Sequence, residues 1–367
     1  MSKAIRVAMV GCGNISGQYL DAIGVLPDLQ LVACADVVTE RAAEVAAQHE
    51  GVRPLSPAEA VGADDVDVVL NLTIPTVHAE LARTALAAGK HVYGEKPLAT
   101  TVRDGRDVLS VAGDARLRVG CAPDTVLGTG LQTARAVLDR GDIGRPVAAT
   151  AFFTGGGPDN WHGNPAFFYQ PGAGPLFDLG PYYISSLVTL LGPVRRVVGM
   201  ARASTPQRRV AEGPNAGLVI DVEVDTHVSA SLEHASGAIS TLITSFDVRG
   251  GSTLPRIEVY GESGSLGVPD PNGFDGPVNL RRAGDTDWTE VAPLAGYLGG
   301  GRGIGLADLA RAVAAGEPHR ASGELALHVL DVMESVIAAA HAGQAVELST
   351  TCERPAAAPL IDLRLTA

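Results

Sequence analysis

The sequence predicts an α/β protein: a doubly wound parallel sheet followed by an α+β region with a largely antiparallel sheet. Three features carry this. Apolar strands alternate with helical stretches over the first third, a glycine-rich turn directly follows the first strand, and the pattern changes after about residue 145. The strands read AIRVAMV (4–10), LQLVACAD (29–36), VDVVLNLT (66–73), KHVYG (90–94) and RLRVGCA (116–122). Helical stretches fill the gaps at 18–26, 40–48, 78–88 and 102–112. Near-continuous apolar strands separated by helices make a parallel sheet covered on both faces. Ligands of such a sheet sit at the carboxyl ends of its strands. Farther on, DVEVDTHVSASLEHASGAISTLITSF (221–246) alternates apolar and polar residues around Ala235-Ser236-Gly237, as in a hairpin with one exposed face. Short strands follow at 257–261 and 278–282 between Gly/Pro-rich turns, then helices near 304–315 and 322–342. The expected domains are 1–123 and 124–367.

A chain of 367 residues suffices for two cores. It is 46% hydrophobic and 19% charged, and no apolar run reads as long enough to span a bilayer, so no membrane partner is expected. The start, MSKAIRVAMVGCG, does not read as a signal peptide, because its apolar stretch is short and enters a glycine turn. Cys12, Cys34, Cys121 and Cys352 lack CxxC spacing and read as reduced thiols of a cytoplasmic protein. A net charge of −13 argues against a nucleic-acid partner. The nine histidines form no ligand-spaced cluster, so no metal site is expected.

The glycine turn is Gly11-Cys12-Gly13-Asn14-Ile15-Ser16-Gly17. Two glycines at this spacing permit a tight turn and close approach of backbone to a pyrophosphate resting on the next helix. Ser16 stands where GxGxxG has its third glycine. Asp36 ends the second strand signal, where a carboxylate accepts hydrogen bonds from both ribose hydroxyls of an adenosine. That carboxylate repels a 2′-phosphate, and Val37 and Val38 offer no arginine clamp, so NAD is favoured over NADP. Arg41, a few residues on, is the residue that weakens this preference.

Glu95 and Lys96 end the HVYG strand at the same sheet edge. A lysine beside a nicotinamide can donate to a carbonyl oxygen or share an alcohol proton as hydride leaves. Here the chain resembles the glucose–fructose oxidoreductase / inositol dehydrogenase / MocA-type (Gfo/Idh/MocA) oxidoreductases. GCGNIS, AGKHVYGEKPLA (88–99) and GAGPLFDLGPYY (172–183) stand in that family's order and spacing. The resemblance implies a Rossmann domain and a C-terminal α/β domain whose open sheet often serves oligomer contacts. It also implies a catalytic Lys96, a cis bond before Pro97, and Glu95 against the cofactor. Asn71, Thr73, Pro75 and His78 match the family's cofactor-lining loop.

Where many members carry Asp-x-Gly-x-His, this chain has Asp178-Leu-Gly180-Pro-Tyr182. A tyrosine there also occurs in some branches. A nearby ammonium favours phenolate, so Lys96 would tune Tyr182 or relay its proton. Asp178, one turn earlier, shares a helix face with Tyr182 and can bind a substrate hydroxyl. Nine of the 16 aromatic residues lie between Phe152 and Tyr183, so this stretch is the place to look for a sugar-stacking surface. Trp161 and His162, in the GGGPDNWHGN loop, read as substrate contacts, whereas Phe152, Phe153 and Tyr183 read as core.

These features point to an NAD-dependent dehydrogenase or reductase acting on a secondary alcohol of a sugar, sugar derivative or cyclitol, and to a homo-oligomer. Two alternatives stay open: a glycosidase that uses NAD transiently, and a non-catalytic NAD-binding regulator.

Overall fold

The computed structural model describes residues 4–365; residues 1–3 and 366–367, at the outer ends of the two expected domains, lie outside the described residues. Six parallel strands form the first sheet: β1 (Ile5–Val10), β2 (Leu29–Ala35), β3 (Arg53–Leu55), β4 (Val68–Asn71), β5 (His91–Gly94) and β6 (Val119–Cys121). Their order is β3-β2-β1-β4-β5-β6, so the winding direction reverses between β1 and β4. That crevice is where open α/β sheets bind ligands. Helices α1 (Ser16–Val25), α2 (Thr39–Gln48), α3 (Pro57–Gly62), α4 (Pro75–Ala87) and α5 (Val102–Ala115) connect the strands. The four described strand positions of β4 are all buried, as the apolar run requires. β3 and α3 have no such run. β3 is three residues, Arg-Pro-Leu, on the sheet edge, and α3 is one short helix started by a Ser56–Glu59 capping box.

Beyond α6 (Thr129–Asp139) come β7 (Pro146–Thr154), α7 (Pro175–Leu191) and β8 (Val194–Arg202). Then follow β9 (Gln207–Arg209), β10 (Val219–Asp221), β11 (His227–His234), β12 (Ile239–Ser245), β13 (Ile257–Gly261), β14 (Gly264–Val268), β15 (Val278–Arg282) and β16 (Thr289–Val291). The chain closes with β17 (Gly296–Leu298), α8 (Ile304–Ala315), α9 (Gly323–Ala342), β18 (Val346–Glu347) and β19 (Leu360–Asp362). The large sheet runs β16-β15-β14-β13-β7-β12-β11-β8-β18, antiparallel throughout except for the parallel pair β7–β12.

The hairpin expected within 221–246 is β11–β12, with Gly237 at φ +86° in the turn. Its alternation is real: Val228, Ala230, Leu232 and His234 are buried on one face while Ser231 is exposed on the other. Of the residues before β11 in that stretch, only Asp221 lies in a strand, as the last residue of β10, which pairs with β9. α7 packs on β7, β11 and β12. A Cβ on Gly180 would lie 3.3 Å from Sδ of Met333, so the glycine lets α7 close on α9.

By contacts the molecule divides into two units. The first takes the described parts of Met1–Thr129, Gly296–Leu330 and Ala358–Ala367; the second takes Gly130–Ala295 and Asp331–Ala357. A single cut after residue 123 does not describe this, because β17, α8 and β19 pack with the first unit. One expectation about membranes is also corrected. α9 has the length and mean hydropathy (1.4 over its most apolar window) of a spanning helix. Its Leu325, Val329, Leu330, Val332, Met333 and Val336 are buried inside the protein.

Candidate active site

In the first unit the carboxyl edge of the parallel sheet gathers most of the residues singled out from sequence. β1 runs into the glycine turn, where Gly11 adopts φ +105° and a Cβ would stand 2.5 Å from the carbonyl oxygen of Leu72. No side chain can replace that hydrogen. Gly13 differs: a Cβ there meets nothing within 4 Å, so the space over its backbone is open. α1 begins after Ile15 with no side-chain cap and no acid in its first turn. Ser16 N donates to the Gly13 oxygen (3.1 Å) and Gln18 N to the Ile15 oxygen (3.2 Å), no side chain competes at this end, and the positive end of the helix dipole favours an anion over the turn. Ser16 has a positive use, since its Oγ donates to the Gly13 carbonyl at 2.7 Å and ties the turn to the helix. The residues present fit a dinucleotide pyrophosphate.

Asp36, just beyond β2, is buried, and each of its oxygens accepts a backbone N–H: Oδ2 from Cys12 and Oδ1 from Val38, both at 2.8 Å. The carboxylate thus joins the glycine turn to the end of β2, and each oxygen keeps a lone pair for a hydroxyl donor. Val37 is 89% exposed and Ile74 is 65% exposed, an unusual placing for branched apolar residues. They stand beyond β2 and β4, the strands on either side of β1, and offer apolar surface to a flat ring. Ile74 was not among the residues found from sequence; only its place between Thr73 and Pro75 marks it.

Two of the residues expected along the cofactor loop have their side chains hydrogen-bonded within the protein. Asn71 is buried, and its Oδ1 accepts from the Thr73 amide (3.2 Å) and Oγ1 (2.6 Å) while Nδ2 donates to the His78 carbonyl (3.1 Å). His78 is buried as well, with Nδ1 2.7 Å from the Pro97 oxygen and Nε2 2.9 Å from the Thr73 oxygen. Neither ring nitrogen is left for a ligand. Both residues shape the loop that presents half-buried Thr73 and exposed Pro75.

The turn after β5 carries Glu95 and Lys96, and the Lys96–Pro97 peptide is cis, as is Ala122–Pro123. Glu95 N donates to the Asn71 oxygen (2.9 Å), the Gly94 oxygen accepts from Ala122 N (2.9 Å), and the Pro97 oxygen faces His78. Lys96 N donates to Oε2 of Glu95 at 3.1 Å. The other oxygen of Glu95 accepts from the Tyr19 hydroxyl of α1 at 2.8 Å. Burial, then the nearby Glu95 charge, pushes the Tyr19 hydroxyl well above the usual phenol range, so it remains a donor. Glu95 is turned into the protein more than toward a ligand.

In the second unit α7 carries Asp178 in its first turn and Tyr182 one turn on. Pro181 lies inside the helix and gives no N–H, which leaves the Phe177 carbonyl without its helical donor. Tyr183 is fully buried, in keeping with a packing role, and its ring stands 6.3 Å from that of Phe153. Phe153 packs against the cluster of Tyr169, Val210, Ile220 and Phe246, whereas Phe152 alternates to the opposite sheet face. Trp161 is 67% exposed. The His162 ring lies 5.4–5.5 Å from the rings of Trp161, Phe167 and Phe168 in edge contacts.

Sequence reasoning missed what holds that loop. Asp159, wholly buried, accepts from the Tyr169 hydroxyl and pairs with Arg249 (3.1 Å) and Arg208 (3.8 Å). Arg208 also pairs with Asp247, which accepts from Thr226 at 2.8 Å. A cleft of about 430 Å³ opens beside the start of α7, lined by Leu176, Phe177, Val222, Val224 and Ile337 with Asp225 and His341; Asp178, Tyr182, Trp161 and His162 do not line it. Among the described residues no group of three His, Cys, Asp or Glu is arranged to hold a metal ion.

Comparison with known proteins bears on both units. Residues 5–122 match an oxidoreductase family with an NAD-binding Rossmann fold, and residues 131–267 match the GFO/IDH/MocA C-terminal domain. The 1,5-anhydro-D-fructose reductase of Ensifer adhaerens is 27% identical over 94% of this chain and 99% of its own. Inositol 2-dehydrogenase 3 of Saccharopolyspora erythraea is 28% identical over 78% of this chain and 80% of its own. An NAD binding oxidoreductase from Klebsiella pneumoniae has the same fold, with a TM-score of 0.82 at 24% identity over 95% of this chain and all of that one.

Proposed function

Because the chain belongs to the GFO/IDH/MocA family of NAD-binding oxidoreductases, we propose that it moves a hydride between NAD and a secondary alcohol or ketone of a sugar, sugar derivative or cyclitol. The observation that carries this reading is the pairing at one sheet edge of an uncapped helix N-terminus over open Gly13 with a braced lysine turn at Lys96. The first suits a pyrophosphate and the second suits proton handling. The names of the two curated relatives, a reductase of an anhydro-sugar and an inositol dehydrogenase, support the substrate class.

In this reading the α1 amides and Gly13 hold the pyrophosphate, Asp36 takes the ribose hydroxyls, and Val37 and Ile74 flank the adenine. Bound nicotinamide supplies the hydride acceptor or donor. Lys96 holds the substrate oxygen by charge-assisted hydrogen bonding and, with Tyr182, moves its proton. Asp178 accepts from a neighbouring hydroxyl. Trp161 and His162 meet the apolar face and hydroxyls of the ring. The open face of the large sheet, which carries exposed Met200 (80%) and, on the same face, Val198 and Ile239, serves contact with a second copy; Met200→Asp should then lower the mass seen in light scattering.

The test is turnover of a panel of sugars, cyclitols and ketosugars, followed by reduced-cofactor absorbance. Lys96→Met and Tyr182→Phe should each lower kcat by about 10²–10⁴ while Tyr182→Phe leaves NADH affinity unchanged. The double variant should be scarcely worse than the worse single one, as for groups acting as a unit. Phenol release from aryl glycosides without added NAD would favour a glycosidase. NADH binding with no turnover anywhere in the panel would favour a regulator.

A further inference from the structure

We propose that Arg302, carried by the glycine-rich stretch 299–305, is a positioning residue for Lys96 that acts through Glu95. This rests on the reading of Lys96 as the proton-handling lysine. The backbone that follows Arg302 is fixed by close packing and by two hydrogen bonds. A Cβ on Gly303, which has φ +107°, would lie 2.9 Å from Cβ of Ala22 in α1. A Cβ on Gly305 would lie 2.1 Å from the Tyr93 hydroxyl oxygen of β5. The amides of Gly303 and Gly305 both donate to Oδ2 of Asp124, at 2.7 and 3.1 Å, and Asp124 is wholly buried.

From this clamped stretch the Arg302 guanidinium donates from Nε to Oε1 of Gln18 (3.1 Å) and lies 3.8 Å from Oε1 of Glu95. Both side chains of that ion pair are 12% exposed, so solvent screens it less than a surface pair. Glu95 then divides its oxygens. Oε1 meets Tyr19 and Arg302, and Oε2 accepts the Lys96 amide. Pro97 has no N–H, so the Glu95 carboxylate is the acceptor that pins the last amide of the turn before it. Without Arg302 a mostly buried carboxylate loses that cation, turns toward water or another donor, and releases the Lys96 amide.

The experiment combines hydrogen exchange with kinetics on Arg302→Met, Arg302→Lys and Glu95→Gln. Exchange of the Lys96 amide, read by mass spectrometry on a peptide spanning 95–98, should quicken at least tenfold in Arg302→Met. kcat should fall about tenfold with the sugar KM within about twofold. Arg302→Lys should recover most of both, and Glu95→Gln with Arg302→Met should be no worse than Glu95→Gln alone. Unchanged Lys96 exchange in Arg302→Met, or lost protection with normal kcat, overturns the proposal. If Arg302→Met does not fold, Arg302→Gln serves, since its amide keeps a donor for Gln18. A wild-type enzyme inactive on the whole panel would sink the sugar-oxidoreductase reading, and the exchange result would then decide the Arg302 brace by itself.

Discussion

Two glycine-rich stretches serve the first unit, and they use glycine for opposite reasons. In the turn after β1, Gly11 is crowded against Leu72, but Gly13 and Gly17 have open space where a Cβ would stand. In the stretch that leads into α8, Gly299, Gly300, Gly303 and Gly305 would all place a Cβ within 3.1 Å of protein atoms, and only Gly301 is open. The first stretch keeps room for something that is not protein. The second gives up its side chains so that α8 can close on α1 and β5. Spacing in sequence separates these cases poorly, whereas the surroundings of the missing Cβ separate them at once.

The sharpest test substitutes alanine in each. Gly305→Ala forces a methyl group against the Tyr93 oxygen and Cβ of Asp124, 2.1 and 2.7 Å away. It should cost about 3 kcal/mol or prevent folding. Gly13→Ala meets no protein atom, so its melting temperature should stay within about 2 °C of wild type while NADH binds at least tenfold more weakly, as read by thermal shift with and without NADH. Equal loss of stability in both variants would break the comparison.

A second test asks what the crowded stretch costs. Burial pushes the Asp124 carboxyl up to about 6 and nearby Glu95 adds to this, against the opposing pull of the Gly305 and Gly303 amides and Arg302. A carboxyl whose folded pKa lies above its unfolded value holds the fold best when protonated, and that contribution is lost as pH rises through about 6. Asp124→Asn cannot ionise and still offers an oxygen to the two amides. It should stabilise the protein by about 2 kcal/mol at pH 7–8 and give nothing near pH 4 in denaturant titrations. A flat difference across that range would remove Asp124 ionisation from the balance.

The smallest effect belongs to the open stretch. Asp36→Ala should narrow the preference for NAD over NADP in kcat/KM by about tenfold, because a carboxylate no longer faces the 2′-position. Equal kcat/KM for both cofactors in the unmutated protein would show that Arg41, exposed beyond Val38, decides the matter instead.

The parallel sheet was legible because its strands are short apolar runs buried on both faces, and the glycine turn and Asp36 stand at their ends. β7 and β8 were not. β7 is PVAATAFFT, rich in alanine, and β8 is VRRVVGMAR, whose arginines face solvent; neither carries a clean strand signal although both sit inside the large sheet. At the candidate site, residue type located the turns and the aromatic loop. It did not reveal the direction of each side chain. Asn71 bonds Thr73 and the His78 carbonyl, His78 faces the Thr73 and Pro97 carbonyls, and Glu95 accepts from Tyr19. The arginine partners of Asp159 and Glu95 (Arg208, Arg249 and Arg302) come from about 50 to 200 positions away, which no local pattern records.

The return of the chain to the first unit has a consequence for its biosynthesis. β19 pairs in parallel with β17, and the amides that bond Asp124 lie at the start of α8. The nucleotide-binding half therefore cannot be finished when its own strands have left the ribosome. It must wait, with Asp124 unsatisfied and α8 absent, until the whole of β7 to β16 has been made. Domains that fold in order of synthesis hide their apolar surface early. Here the first half to emerge is among the last to be sealed, and the intervening sheet must fold while its neighbour is still open.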